Sequence, residues 1–360
     1  MISGIVSNRR LLLMGSNGCV FYRRGKLYYA DTPASAQRFL CKVPYDGAKK
    51  CLSRFGLAER MLRLEPRGAA WVDDKQFLFC CKGCIYRVDT VSGSVTREHR
   101  FSDGMSAPLS LCTLSCVPGF TDGVLYGDYT GRRQDISIVR RTPAGDWQTV
   151  YIFPLGMVLH IHALIPDPVN GRVLILTGDS DSEAGIWEAR EDFQQVRPLL
   201  RGSQQYRSCF AVPWRGHIYY ATDTPLEGNA LYDLDEGTGK VTKLRDLPGP
   251  VIYGAFCIEN GRMRMVMSTS VEPDSRQTGL RYLLSYRRGP GVKSWDSCIL
   301  SGSPETGMEI VRRFRKDLLP MALFQFGNAY FPAGEGGWRC CCPQSVRACH
   351  EKTIEIGGKP

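Results

Sequence analysis

Apolar stretches along this chain are short, rich in β-branched and aromatic residues, and divided by turns that contain glycine. RRGKLYYADTP (Arg23–Pro33) nearly recurs as WRGHIYYATDTP (Trp214–Pro225). Looser copies are DGVLYGDY (Asp122–Tyr129), NGRVLILTGD (Asn170–Asp179) and GNAYFPAGE (Gly327–Glu335). Each copy is a turn, a β-forming run and a polar ending, preceded by another short strand such as HIHALI and followed by a strand and turn such as VDTVSGSV. Helical spacing is confined to CLSRFGLAERMLRL (Cys51–Leu64), room for a turn or two of helix.

The repeating unit is thus four short strands in about 45–50 residues, a period that points to propeller blades. Seven units fit the chain as one domain over 1–360: 11–60, 61–106, 107–156, 157–203, 204–249, 250–311 and 312–357. The expectation is an all-β, seven-bladed β-propeller of four-stranded blades, with six or eight as the neighbouring counts. Sandwiches also use many short strands, but they do not repeat at this length.

In a blade, the first strand starts and the second ends on the same face, so the polar endings should gather around a channel mouth. They are Asp128, Tyr129 and Arg132; His160, His162, Asp179, Asp181 and Glu183; Gln204, Gln205, Tyr206 and Arg207; Asp223 and Asn229; and Glu335. His160 and His162, at i and i+2 of a strand, project to one face. They could ligate one metal, act as a base with its orienter, or bond neighbouring carbonyls. A divalent metal is the one cofactor this stretch could hold. Asp128, Asp179 and Asp223 end strands where a carboxylate also serves a turn. Arg207 could form a fork to a carboxylate or sulfate, or a salt bridge to one of those same acids.

Composition narrows the class. Hydrophobic content of 43% and charged content of 23% are those of a globular protein. No window approaches the roughly 18–20 apolar residues of a membrane span. Only four apolar residues separate Arg10 from Gly15, too few for a secretory h-region, so a cytoplasmic location is expected. Fifteen cysteines, an odd number in clusters such as Cys340-Cys341-Cys342, suit free thiols better than a disulfide framework. Cys81-x-x-Cys84 with Cys349 and His350 is a weaker, zinc-like alternative. The net charge of +10 favours an anionic partner. Its densest run, Arg312–Lys316, lacks any nucleic-acid-binding signature.

The combination of GDY with Arg132, HIHAL–DP (His160–Pro168), TGD–D–E (Thr177–Glu183), GSQQYR (Gly202–Arg207), TDTP–E–N (Thr222–Asn229), LPGPVIY (Leu247–Tyr253) and FQFGNAYFPAGE (Phe324–Glu335) resembles a family of uncharacterised bacterial propellers with sialidase-like (BNR, Asp-box) repeats. RRTPAGDW (Arg140–Trp147) and YRRGPGVKSW (Tyr286–Trp295) look like degraded Asp-box turns. The resemblance implies the propeller fold and brings no established activity with it. A sialidase would also need an Arg-Ile-Pro signature and an arginine triad; no Arg-Ile-Pro occurs here, and no triad can be assigned. The carboxylates and histidines gathered at the mouth make a carbohydrate-active enzyme on oligo- or polysaccharides the expected function, anionic ones favoured by the charge. A glycoside hydrolase would draw its carboxylates from Asp179, Asp181, Glu183, Asp223 and Glu335. The alternatives are a polysaccharide lyase using His160 or His162 with Tyr206 and Arg207, and a non-catalytic propeller that binds a glycan or a protein.

Overall fold

Each apolar run pairs with the next through a tight turn, so consecutive strands form antiparallel meanders. The computed structural model describes residues 4–356, a β-propeller of seven four-stranded antiparallel sheets. Strand β1 (Ile5–Ser7) precedes the sheet β2–β5 (Arg10–Gly15, Gly18–Arg23, Lys26–Ala30, Arg38–Lys42). Helices α1 (Lys49–Leu52) and α2 (Gly56–Leu62) occupy the helical stretch anticipated near 51–64. Next come β6–β9 (Ala69–Trp71, Gln76–Cys81, Cys84–Asp89, Val95–Arg100) and β10–β13 (Cys112–Leu114, Gly123–Gly127, Ile136–Arg141, Trp147–Phe153). They are followed by β14–β17 (His160–Asp167, Arg172–Gly178, Gly185–Arg190, Gln195–Arg201) and β18–β21 (Ser208–Trp214, His217–Thr222, Asn229–Asp235, Val241–Leu247). The sixth sheet is β22–β25 (Val251–Glu259, Arg262–Thr269, Asp296–Ser303, Gly307–Arg315), with α3 (Gly279–Leu284) inserted after β23. After α4 (Met321–Phe324) come β26–β28 (Asn328–Tyr330, Cys340–Gln344, Thr353–Glu355).

The strand patterns explain themselves by depth. The second strand of a sheet is enclosed on both faces and reads as a continuous apolar run, as in the wholly buried RVLILTG of β15. The fourth is an exposed edge and carries charged residues, as in VTREHR of β9 and VTKLRDL of β21. Pro198 sits on such an edge, β17, where a missing N–H costs no ladder bond. Three first strands carry a bulge near their start, with Leu12 in β2, His162 in β14 and Ile252 in β22 as the extra residue.

The seventh sheet runs β1-β28-β27-β26. The sequence expectation placed its strands at 312–357, of which residue 357 lies outside the described residues. Instead Gly307–Arg315 is the fourth strand of the sixth sheet, and the N-terminal β1 supplies the seventh sheet's fourth strand. No local pattern announces a strand contributed from the far end of the chain. Thr353 fastens this junction. It is fully buried, and its hydroxyl donates to the Arg9 carbonyl (2.7 Å) and accepts from the Leu11 N–H (3.0 Å).

The backbone groups into two compact units. One holds the chain up to Glu65, Thr90–Ser94 and everything from Trp214 on; the other holds Pro66–Asp89 and Val95–Pro213. The second has an apolar core in which Ile136, Ile138 and Phe153 meet Ile161, Val173, Ile175 and Trp187, cementing β10–β13 to β14–β17. The first contains a buried polar cluster under α2. Glu59 accepts a short hydrogen bond from the Tyr22 hydroxyl, Arg60 bonds the Phe324 carbonyl (2.7 Å) and Asp317 (2.8 Å), and Gln325 joins Glu65 (2.5 Å).

Thr353→Val leaves the buried Leu11 N–H without its acceptor. It should cost about 1–3 kcal/mol, read as a lower urea midpoint at unchanged slope. The cluster under α2 sets a pH dependence. Burial, with Glu351 next, pushes the Glu59 carboxyl up to about 8, and burial, with Glu65 next, pushes Glu351 up to about 7. Burial and the Arg60 charge lower His350 to about 4 from an ordinary 6.5. The two glutamates bind protons more tightly folded than unfolded, so their contribution is complete below about 4.5 and lost as pH rises through 7 and 8. His350 works in the opposite sense, but only between about 4 and 6.5. The melting temperature should therefore fall between about pH 6.5 and 8.5, and Glu59→Gln should flatten that fall; a wild-type profile that rises across this window would contradict the assignment.

Candidate functional site

Strand β14 begins with His160 and carries His162 at its bulge, and both rings are buried, at 3% and 4% exposure. His160 Nδ1 lies 2.8 Å from the Thr130 carbonyl and His162 Nδ1 lies 2.9 Å from that of Ser208. A carbonyl only accepts, so each Nδ1 carries the hydrogen, and in a neutral ring each Nε2 is left with a bare lone pair. These two Nε2 atoms face each other at 2.9 Å. Two lone pairs at that separation repel, so a proton or a metal ion must stand between them.

Asp179, directly after β15, completes the cluster. Its Oδ1 is 3.5 Å from His160 Nε2, 3.4 Å from His162 Nε2 and 2.8 Å from Arg207 Nη2. Gln204 Nε2 (2.8 Å) and Arg207 Nη1 (3.1 Å) both donate to the Asp179 backbone carbonyl, which fixes the residue from two sides. Burial pushes the Asp179 carboxyl up, but the imidazoles, once a proton on Nε2 makes them donors, and the Arg207 guanidinium outweigh it and hold the group well below the usual carboxylate range. Its side chain is 42% exposed, whereas the two imidazoles are almost fully enclosed. A ligand therefore meets the carboxylate first. Tyr129 packs its ring on His160, with centroids 4.3 Å apart.

Two glycines of the repeated endings are explained here. A Cβ at Gly178 would lie 2.4 Å from His162 Cε1, and one at Gly127 would lie 2.4 Å from Ile161 Cβ. Only glycine lets β14 bring His162 and Ile161 this close.

The remaining expected residues divide. Asp128 is buried and accepts from the Ser137 N–H (2.9 Å), and burial raises its carboxyl. Glu183 is buried, bonded by Ser180 and paired with Arg133 at 3.2 Å. Arg132 and Asp181 are exposed, while Gln205 and Tyr206 are half-buried on the turn that presents Gln204 and Arg207. Asp223, Asn229 and Glu335 belong to the other unit. There the buried Asn229 amide is filled by Thr222, Thr224 and the Thr224 carbonyl, and Glu335 is exposed. The site thus gathers His160, His162, Asp179, Gln204, Arg207 and Tyr129. Sequence reading missed the Thr130 and Ser208 carbonyls, which set the tautomers, because a backbone acceptor leaves no mark in the side-chain pattern.

The donor set fits a metal. Three ligand atoms 2.9–3.5 Å apart can share an ion at the roughly 2.0–2.2 Å typical of imidazole and carboxylate ligands. The zinc-like alternative gains nothing: among the described residues no such ligand cluster includes Cys81, Cys84, Cys349 or His350, and all fifteen cysteines are free. Burial pushes Cys112 and Cys340 up to about 12, so these thiols stay protonated. The basic run Arg312–Lys316 is divided by strand alternation, with Arg313 and Arg315 exposed and Lys316 buried beside Asp317.

No family model matches the chain, so none supports the BNR/Asp-box resemblance, and no curated protein matches with significance. Solved structures do match in fold. An oligogalacturonate lyase in complex with manganese is 10% identical, with a TM-score of 0.52 over 97% of this chain and 89% of that one. An oligogalacturonate lyase from Vibrio parahaemolyticus is 10% identical, with a TM-score of 0.52 over 93% and 90%. A chain of the mitotic checkpoint complex is 10% identical, with a TM-score of 0.55 over 99% and 92%. Proteins with such different roles share the propeller, which at this identity is all the likeness shows.

Calorimetric titration of the apo protein with Zn²⁺ or Mn²⁺ separates ion from proton. One ion per chain is expected, with loss of binding in His160→Ala/His162→Ala. Gly178→Ala, which displaces the His162 ring, should weaken affinity by about 10–100-fold. A wild type that takes up no ion would leave a shared proton between the imidazoles.

Proposed function

We propose that the His160–His162–Asp179–Arg207 cluster is the catalytic centre of a carbohydrate-active enzyme of the lyase type, acting on uronate-containing oligosaccharides with a divalent metal held by His160, His162 and Asp179. The observation that carries this reading is the convergence of two bare Nε2 atoms and one carboxylate oxygen, with the Arg207 guanidinium bonded to that same carboxylate. Elimination from a uronate requires positive charge on the sugar carboxylate, so that the α-hydrogen becomes acidic, and a base to take it. A bound metal would supply Lewis acidity toward that carboxylate. Arg207 orients it, and the half-buried Tyr206, adjacent in sequence, is the candidate base. The proton leaves C5, its electron pair forms the C4–C5 double bond, and the C4–oxygen bond breaks with the leaving oxygen protonated by solvent. The net charge of +10 suits a polyanionic substrate. Manganese in a lyase of the same fold is chemically consistent with this assignment.

Hydrolysis is less well supported. It needs one protonated and one free carboxylate flanking the bond, whereas Glu183 is tied to Arg133 and Ser180, and Asp179 is tied to Arg207.

A cleavage screen over oligogalacturonate, alginate and neutral glycans, with and without Mn²⁺, tests the proposal. Ultraviolet absorbance from unsaturated uronates should rise with metal and fall at least about 100-fold in His160→Ala/His162→Ala. New reducing ends without absorbance would make the enzyme a hydrolase. Inertness of folded, metal-loaded protein toward every substrate would leave a glycan- or protein-binding propeller.

A further inference from the structure

A cavity of about 380 Å³ lies wholly within the unit that contains both chain ends. Its walls come from the segment before β2 (Asn8), the β3–β4 turn (Arg23, Arg24), the start of α2 (Leu57) and the loop before β28 (His350, Lys352). Arg23, Arg24 and Lys352 make no ion pair among the described residues. Arg60, also in the wall, is committed to Asp317 and the Phe324 carbonyl. His350 Nδ1 accepts the Ser345 N–H (3.2 Å), so the neutral ring keeps Nε2–H as a donor.

Three unpaired cations around one concavity repel one another, an arrangement that an anionic ligand relieves. One negative wall residue, Glu351, stands against them. Burial, with Glu65 next, pushes its carboxyl up to about 7, so at neutral pH it cancels only part of their charge. Behind it, Arg10 is fully buried on β2, with Nε and Nη1 lacking hydrogen-bond partners and its ring contact made to Tyr330. Its charge faces Glu65 and Glu351.

We infer that this cavity binds a small organic phosphate, the phosphoryl group held by Arg23, Arg24 and Lys352 and the carbon skeleton lying against Leu57 and Asn8. A carboxylate is satisfied by a single guanidinium fork, whereas a phosphate dianion can accept from several cations at once. The volume, at the lower end of small-molecule sites, suits a monosaccharide-sized ester rather than a bare ion. The inference is independent of the metal centre and of the lyase reading, and holds whether or not His160 and His162 are catalytic.

Isothermal titration of the full chain with glucose 6-phosphate, inorganic phosphate and galacturonate tests it at physiological salt. One equivalent of glucose 6-phosphate should bind at least about tenfold more tightly than either other probe. Arg23→Gln/Arg24→Gln should weaken that binding about tenfold or more. Leu57→Trp should block the ester by filling the cavity, with the melting temperature unchanged in the absence of ligand. Non-saturable binding, equal binding by the double variant, or galacturonate or inorganic phosphate bound as tightly as the ester would each overturn the assignment.

Discussion

The pairing of β1 with β28 is the constraint on which the first unit depends. It places the N-terminal strand beside the last strand of the chain, with Ile5 opposite Ile354 and Ser7 opposite Thr353. Without it, β28 would present an open edge to solvent, and exposed edges invite foreign pairing. Thr353 makes the junction specific. Its one hydroxyl serves both the Arg9 carbonyl and the Leu11 N–H, so the entry to β2 and the end of the chain are ordered together. Asn8 and His350–Lys352, from the same two regions, form part of the wall of the cavity beside α2, which is therefore complete only once these segments have met.

The histidine site follows a similar logic in the other unit. A bulge supplies an extra residue to β14, and that residue is His162. At the corresponding bulges β2 has Leu12 and β22 has Ile252, so the backbone device is shared and only the side chain is specialised. His160 occupies the position held by Arg10 in β2, two residues before the bulge. Both positions carry buried groups that can bear positive charge. What distinguishes β14 is its surroundings: two backbone carbonyls take the Nδ1 hydrogens and thereby leave both Nε2 lone pairs facing each other beside Asp179. Arg207 and Gln204 in turn hold Asp179 by its main chain, so that a strand end becomes a placed ligand rather than a solvated turn.

The chain's own order of residues determined the propeller, because strand formation, turn chemistry and the repeat are local properties that recur every blade. It also placed His160 and His162 on one face through their i, i+2 spacing, and marked Asp179 and Arg207 as polar ends beside them. Tertiary structure decided the rest. The membership of β1 in the seventh sheet is a pairing across nearly the whole chain, which no window of sequence contains. The separation of Asp179 from Asp128, Glu183 and Asn229, all acceptable as site residues on paper, depends on which neighbour reaches each side chain first. Ser137, Arg133 and Thr224 do so for the latter three, while two imidazoles and a guanidinium do so for Asp179. Such competition for polar partners is settled by distances between segments far apart in sequence, and only folding brings those distances into being.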